Sequence, residues 1–263
     1  MALDLDGTFL NSKKEVTKRN MDAVLKCTEV GIKIIIATAR PPRSVKEFIP
    51  SELMKHCSFV FYNGAYIVDY DHNYEEHVFI PQILSAEIVD YCLSNIPECH
   101  LSIEVKDTWY SNKGISEVNA AFFNIDTKPV VISIEELKQL EATKILLTGY
   151  KQIEELKRHF GKKVNIIVTD EGALVQIMYK KVSKASGIAN LCSRYSIDLS
   201  DVMVFGDDTN DIDMFKTCGH RVAMMNAIDE LKEISDEVTA SNDQDGVGVV
   251  LERVVDLKNK IYY

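Results

Sequence analysis

The spacing of apolar residues changes rhythm twice along the chain. Met1 to Leu5 is a short apolar run. From about Thr17 to Val30, Met21, Val24, Leu25 and Thr28 share one face of a predicted helix, and Gly31 supplies the stop. Ile32-Lys33-Ile34-Ile35-Ile36-Ala37 is a β-branched run suited to a buried parallel strand. Pro41-Pro42 can open the next helix, and Ser58-Phe59-Val60-Phe61-Tyr62 predicts a third strand ending at Asn63-Gly64. Strand, helix, strand, helix, strand implies a parallel sheet of the doubly wound kind.

From about Pro81 to Tyr179 the rhythm differs. Predicted helices Ser85–Ile96, Ile134–Leu140 and Ile153–Phe160 alternate with short strands at His100–Val105, Lys144–Leu147 and Asn165–Val168. Runs around Cys99–Val105 and Thr108–Ser111 lie only a few residues apart, which suits an antiparallel hairpin. From Lys184 onward the first rhythm returns, with a helix, the strand Val202-Met203-Val204-Phe205, a turn, another helix and a short strand over Arg221–Met224. The expected fold is α/β, a Rossmann-like doubly wound core made of residues 1–80 and 181–263, with an α+β domain of residues 81–180 inserted into it. Neither an internal repeat nor a low-complexity stretch interrupts this pattern.

Composition narrows the functional classes. The 263 residues are 46% hydrophobic and 27% charged, enough for substantial cores and too apolar for a disordered chain. A net charge of −10 argues against a nucleic-acid binder, which shows a basic footprint. It leaves a small phosphorylated substrate open, since a metal ion and a few cations can neutralise one phosphate locally. Cys27, Cys57, Cys92, Cys99, Cys192 and Cys218 lack C-x-x-C spacing and are read as buried, reduced thiols. Six dispersed histidines give little support to zinc. No apolar run approaches the roughly 18 residues of a membrane span, and no signal peptide precedes the first motif, so a cytoplasmic protein without a membrane partner is expected.

Four groups fall where predicted strands of the parallel sheet end: Asp4 and Asp6 in Asp4-Leu5-Asp6-Gly7-Thr8, then Thr38, Lys184, and Gly206-Asp207-Asp208-Thr209-Asn210-Asp211. Ligands of open α/β sheets bind at these carboxyl ends, so the groups are expected to converge. Asp4, Asp6, Asp207, Asp208 and Asp211 then crowd one site, a repulsion that a hard divalent cation with oxygen ligands, Mg2+ beside a phosphate, relieves. A calcium loop is excluded. Its sixth position needs Gly, but Phe9 stands there counting from Asp4 and Ile212 counting from Asp207, where the twelfth position is also Cys218 in place of Glu. Phosphoryl transfer needs a nucleophile, charge neutralisation and a proton source. Asp4, fixed at a strand end, suits the first. Asp6, just past it, suits the acid and base, provided that neighbouring carboxylates raise its pKa above about 3.9. Thr38 offers a hydroxyl to phosphate, and Lys184 a cation that restrains Asp4. Each residue also has an ordinary reading: Thr38 as a turn residue, Lys184 as a solvated lysine, and the Asp207–Asp211 stretch as a helix-capping turn.

The ordered set resembles the haloacid dehalogenase superfamily, and within it the Cof-type phosphatases with a type IIB cap, over essentially the whole chain. Val222-Ala223-Met224 with Asn226-Ala227, and Ser241-Asn242-Asp243-Gln244-Asp245-Gly246-Val247, are also similar to that group. The resemblance implies that Asp4 forms an aspartyl-phosphate and Asp6 is the general acid/base. It implies that Asp4, the Asp6 carbonyl and Asp207 bind Mg2+, with Asp211 supporting the metal from behind. Thr38 and Lys184 hold phosphate and Asn210 lies near it, while Arg40, Asn63, Gly64 and Ala65 line the core side of the cleft. The inserted segment becomes the cap, a lid that excludes water and contacts the leaving group. In it, Trp109 and Tyr110 either face substrate or serve cap packing, and Glu171-Gly172-Ala173 is expected as a turn toward the core. Three departures stand out: only Met1-Ala2-Leu3 precede Asp4, Ala39 replaces a frequent Gly after Thr38, and Met225 replaces another.

The leading expectation is hydrolysis of sugar phosphates or similar small phosphomonoesters, pyridoxal phosphate included. A phosphomutase of the phosphomannomutase type is the first alternative. The second is a non-catalytic phospho-sensor, since response-regulator receivers also place Asp, Thr and Lys at strand ends, although they are shorter and lack a counterpart of Asp6. Substrate identity and oligomeric state have no signature in the sequence.

Overall fold

The computed structural model describes residues 1–114, 128–169 and 172–261. Its strands are β1 (Ala2–Asp4), β2 (Ile34–Ala37), β3 (Cys57–Phe61), β4 (Tyr66–Asp69), β5 (Tyr74–His77), β6 (His100–Val105), β7 (Thr108–Ser111), β8 (Val130–Val131), β9 (Lys144–Thr148), β10 (Val164–Thr169), β11 (Leu174–Tyr179), β12 (Met203–Gly206), β13 (His220–Ala223) and β14 (Glu237–Val238). The chain divides into two compact units, Met1–Glu76 with Ser183–Tyr263, and His77–Val182. These joints fall within a few residues of 80/81 and 180/181. His77 to Ile80 go with the second unit because His77 Nε2 meets Thr143 Oγ1 at 2.7 Å and the Ile80 N–H donates to the Ala142 carbonyl.

In the first unit the sheet order is β14-β13-β12-β1-β2-β3-β4-β5. Strands β14 through β3 pair in parallel, and β3 turns back antiparallel onto β4. The chain runs from β1 through β2 to β3 on one side and later returns as β12 on the other. The strand order therefore reverses at β1, where open α/β sheets bind their ligands. Short as it is, β1 is fully buried and paired along both edges.

Local chemistry sets the element ends. Thr17 caps the helix Lys18–Glu29 by accepting from the Asn20 N–H, and Gly31 closes it with a left-handed φ of +79°. The Ile32 N–H then reaches back to the Cys27 carbonyl, so β2 starts at Ile34, two residues later than the apolar run suggests. Strand β3 stops at Phe61 because Tyr62, Asn63 and Gly64 all take positive φ.

The second unit is a sheet in the order β10-β11-β9-β6-β7-β8, antiparallel except for the β7–β8 pair. Ile88, Val89 and Cys92 from the helix Gln82–Asn95, with Leu156 and Phe160 from Ile153–Phe160, pack on Leu101, Ile103, Ile145, Leu147, Val175 and Ile177. The helix expected over Ile134–Leu140 is regular only to Leu137, and the chain then tightens into three-residue turns at Gln139 and Leu140. Trp109 is buried and Tyr110 packs half-buried against the core cluster. Glu171, of the expected Glu171-Gly172-Ala173 turn, lies outside the described residues. All six cysteines are buried and free. No described helix is long and apolar enough to cross a membrane.

Candidate active site

The register of the central strands brings the first motif and the last together. Asp4 pairs with Ala37, so Thr38 lies just past the end of β2; Leu3 pairs with Phe205, so Gly206 and Asp207 follow at the end of β12. Gly7 makes the approach possible. It has φ +79°, and a Cβ there would stand 2.1 Å from Asp207 Oδ2. Thr8 then donates its hydroxyl to Asp207 Oδ1 at 3.0 Å.

Lys184 reaches the same place from the other linker. Ser183 caps the helix Lys184–Tyr195 in a capping box with Ser186. Gly64, at φ +106°, lets the Ser183 carbonyl lie where a Cβ would come within 2.2 Å of it. The Lys184 ammonium is fully buried and bridges Asp4 Oδ1 and Asp211 Oδ1, the second at 2.7 Å. Asp211 is equally buried, and its Oδ2 accepts the N–H groups of Asp207 (2.9 Å) and Asp208 (3.1 Å). Both oxygens of Asp211 are thus engaged by protein donors. Lys184 is no solvated lysine.

Asp4, Asp207 and Asp211 offer oxygens within 4.8 Å of one another. Three carboxylates against one ammonium leave an excess of negative charge. Burial pushes the Asp4 carboxyl well above its ordinary range, with Asp211 and Asp207 adding and Lys184 opposing. Burial and Asp211 likewise push Asp207 to about 6. For Lys184, burial favours loss of the proton, but Asp4 and Asp211 outweigh it and hold the ammonium above its usual pKa. A hard cation fits this cluster: the donors are all oxygen, and Asp4 and Asp207 are the members not closed off by backbone donors.

This raised pKa has a sign that can be tested. Asp207 binds protons more tightly folded than unfolded, so in the metal-free protein its own contribution to stability is lost as pH rises from about 4 through 6. Without metal, Asp207→Asn is expected to gain thermal stability over the wild type at pH 8 and little at pH 4.5. Midpoints measured in chelator at both pH values check it, and equal differences would contradict it.

Asp6 is a correction. The sequence suggested carboxylate neighbours that raise its pKa; its neighbours are cations. Arg40 grips it through Nε–Oδ2 (2.6 Å) and Nη2–Oδ1 (2.8 Å), and Lys14 Nζ adds a third contact at 2.7 Å. Burial works to raise its pKa, but these hydrogen bonds prevail and hold the carboxyl below the usual range. Arg40 is itself steadied by Ser44 Oγ and by stacking over Phe48.

Thr38 is buried. Its N–H donates to Val60, its carbonyl accepts from Asn63, and its hydroxyl accepts the Arg40 N–H, which leaves the hydroxyl proton to donate. Asn63, left-handed at φ 52°, accepts from Asn210 Nδ2 at 3.4 Å. Asp208, counted among the crowding carboxylates, instead caps the turn Thr209–Asp211. The capping reading of that stretch thus holds for Asp208, while Asp207 and Asp211 turn toward Asp4 and Lys184. Ala39 and Met225 take ordinary negative φ, so neither replacement of Gly strains its turn. Thr8 and Lys14 carried no role from sequence. Thr8 stands in the first motif, but only the fold shows what its hydroxyl meets.

A family profile described as haloacid dehalogenase-like hydrolase matches residues 1–251. YwtE of Bacillus subtilis, named a 5-amino-6-(5-phospho-D-ribitylamino)uracil phosphatase, is 28% identical over 284 residues, covering 97% of each chain. The X-ray structure of TM0651 from Thermotoga maritima matches with a TM-score of 0.86 at 28% identity, covering 96% of each chain. BT4131, described as a sugar phosphatase of HAD subclass IIB, matches with a TM-score of 0.76 over 96% of this chain and 97% of its own; at 21% identity that likeness is one of fold.

Proposed function

The chain belongs to the haloacid dehalogenase-like hydrolases and is a phosphatase of that family, and from this premise we propose that Asp4 is the nucleophile of a Mg2+-dependent hydrolysis of small phosphomonoesters. The observation that carries the reading is the buried Lys184 bridging Asp4 and Asp211, with Asp207 in the same cluster. A buried ammonium holding a carboxylate at a strand end has fixed the attacking group before substrate arrives. The other features follow the same logic.

In this reading Asp4 attacks phosphorus, the ester P–O bond breaks, and the leaving oxygen takes a proton from Asp6. Water, losing a proton to Asp6, then attacks the aspartyl-phosphate; its P–O bond to Asp4 breaks and phosphate departs. Asp6 rests as a carboxylate between Arg40 and Lys14, so it becomes free to carry a proton when those cations turn to the substrate phosphate. Thr38 donates its hydroxyl to phosphate, and Lys184 holds Asp4 and offsets phosphate charge. Asn63, Gly64 and Asn210 line the same end of the sheet. Held by Asp4 and Asp207, and by the Asp6 carbonyl through likeness to the family, Mg2+ supplies neutralisation of the phosphate oxygens. Asp211 steadies that set through its hydrogen bonds to the Asp207 and Asp208 amides. The inserted unit His77–Val182 is the cap of this reading.

The substrate class is a phosphate on a sugar or polyol carbon chain. Its support is the named activity of YwtE, a phosphatase of a phosphoribitylamino compound. The test is release of free phosphate from a panel of sugar phosphates, polyol phosphates and pyridoxal phosphate. Sugar and polyol esters are expected to turn over at least about tenfold faster with Mg2+ than in chelator, the loss of a metal contribution of some kcal/mol. Isomerised sugar phosphate with little free phosphate would replace hydrolysis by a mutase, and no turnover on any ester would leave a phospho-sensor.

A further inference from the structure

Two sequence stretches remain without a task in the reaction: the loop after β13, with Asn226, and the loop Ser241–Gly246. They meet at the first motif. Asn226 Nδ2 donates to the Gly7 carbonyl at 2.8 Å. The Asn226 Oδ1 accepts the Asn242 N–H at 3.0 Å, and Asn242 Nδ2 donates to the Leu10 carbonyl at 2.9 Å. Two amide side chains, joined through one backbone N–H, thus hold both ends of the turn that begins just after Asp6. Asn242 is buried, so its amide has no water to replace Leu10 as a partner.

That turn needs holding. Within it the Phe9 N–H is shared between the Asp4 and Leu5 carbonyls, and the Leu10 N–H donates to Leu5. The peptide between Gly7 and Thr8 stands free of these bonds, at the left-handed Gly7, which lies so near the Asp207 carboxyl that a Cβ would collide with it. Asn226 grips the carbonyl of that same peptide. Thr8, on its other side, carries the hydroxyl that meets Asp207 Oδ1. A turn of the Gly7–Thr8 peptide would swing both the carboxylate contact and the exit of the chain from Asp6. The same loop adds support farther along, where Asp243 Oδ1 accepts the Ser12 N–H at 2.7 Å and Asp245 Oδ1 accepts the Thr17 hydroxyl at 2.6 Å.

We propose that Asn226 and Asn242 are positioning residues, a coupled pair that sets the Gly7–Thr8 peptide and through it the placing of Asp6 and Asp207. Neither touches the reacting atoms. Both must donate from nitrogen and Asn226 must also accept on oxygen, a combination that only a carboxamide supplies in this space. Aspartate keeps the shape and the acceptor but loses the donor. The inference rests on the phosphatase reading for its effect on turnover, and one of its readouts needs no substrate.

The experiment compares Asn226→Asp and Asn242→Asp with the wild type in three measurements. These are steady-state phosphate release from the best substrate, thermal unfolding, and amide hydrogen exchange over residues 5–11. Expected are a kcat lowered about tenfold or more with KM within about twofold, a midpoint little changed in the exposed Asn226→Asp and lowered in the buried Asn242→Asp, and faster exchange at residues 7–10. The double variant is expected to lose no more than the worse single one, because the two amides act as a unit. If Asn242→Asp does not fold, Asn226→Asp and Asn226→Ser carry the test. Faster exchange with wild-type kcat would overturn the proposal, leaving the pair a structural staple, and wild-type values of both would remove the coupling itself. A wild type without turnover would sink the phosphatase reading, and hydrogen exchange would still show whether the clamp exists.

Discussion

Asp4→Asn is expected to lower kcat by about 10⁴-fold or more while the metal-free protein keeps or gains thermal stability, the reverse of what most buried substitutions do. The kinetic half follows from the role. An amide cannot form an acyl phosphate by attack on phosphorus, and the remaining site can only bind and polarise. The stability half follows from charge. The carboxamide that replaces the Asp4 carboxyl keeps its shape and an oxygen for the Lys184 ammonium. What disappears is one of three carboxylates around a single ammonium, in a site where burial and repulsion already raise the pKa of Asp4 and Asp207. Phosphate release and thermal midpoints in chelator at pH 8 test the two halves separately. Turnover within about tenfold of wild type would remove Asp4 from the nucleophile role, and a large fall in midpoint would show that Asp4 holds the fold by more than its charge.

The site was legible where it depends on strand ends and obscure where it depends on turns. Ile34–Ala37, Ser58–Phe61 and Met203–Phe205 are continuous apolar runs with one plausible environment, a sheet covered on both faces. Once these are strands, topology alone brings Asp4, Thr38 and Asp207 to one end. Lys14 could not be found this way. Lys13 and Lys14 are equal in sequence, and the choice is made by Asn11, whose side-chain oxygen accepts from Lys13 and Glu15 while its carbonyl accepts from Lys14, leaving Lys14 left-handed at φ 62°. The wrong sign expected for the Asp6 pKa has the same origin. Carboxylates near in sequence were visible, but the Arg40 side chain arrives across a different strand end.

Strands were missed for two different reasons. In β11 the alternation is present, with Val175 and Ile177 buried on either side of Gln176, and the run was readable. In β5 it is absent. Tyr74-Glu75-Glu76-His77 has no apolar face; it is a strand through pairing with its neighbour β4 and polar side-chain bonds, in which Glu75 accepts from Tyr66 and Glu76 accepts from Tyr74 and Asn190.

Lys184→Met is expected to be the most destabilising single change at the site, costing about 3–5 kcal/mol at pH 8 in chelator. Methionine fills nearly the same volume, so a cavity contributes little. The loss comes from two carboxylates at Asp4 and Asp211 left without their shared cation in a place that water does not reach. Protonation offers the variant a way out, and its sign is fixed. Without Lys184 the Asp4 carboxyl, already raised by burial, loses the cation that opposes the rise, so the penalty is present above its folded pKa and shrinks as pH falls through it. Urea unfolding at pH 8 and pH 5 is therefore expected to show a smaller gap between variant and wild type at the lower pH. Adding Asp211→Asn to Lys184→Met removes one of the stranded charges and is expected to return part of the loss, so that the two changes together cost less than their sum. Additive losses, or a gap that widens toward acid, would mean that Lys184 stabilises the site by packing and that the Asp4–Lys184–Asp211 bridge is not what holds the carboxylates in place.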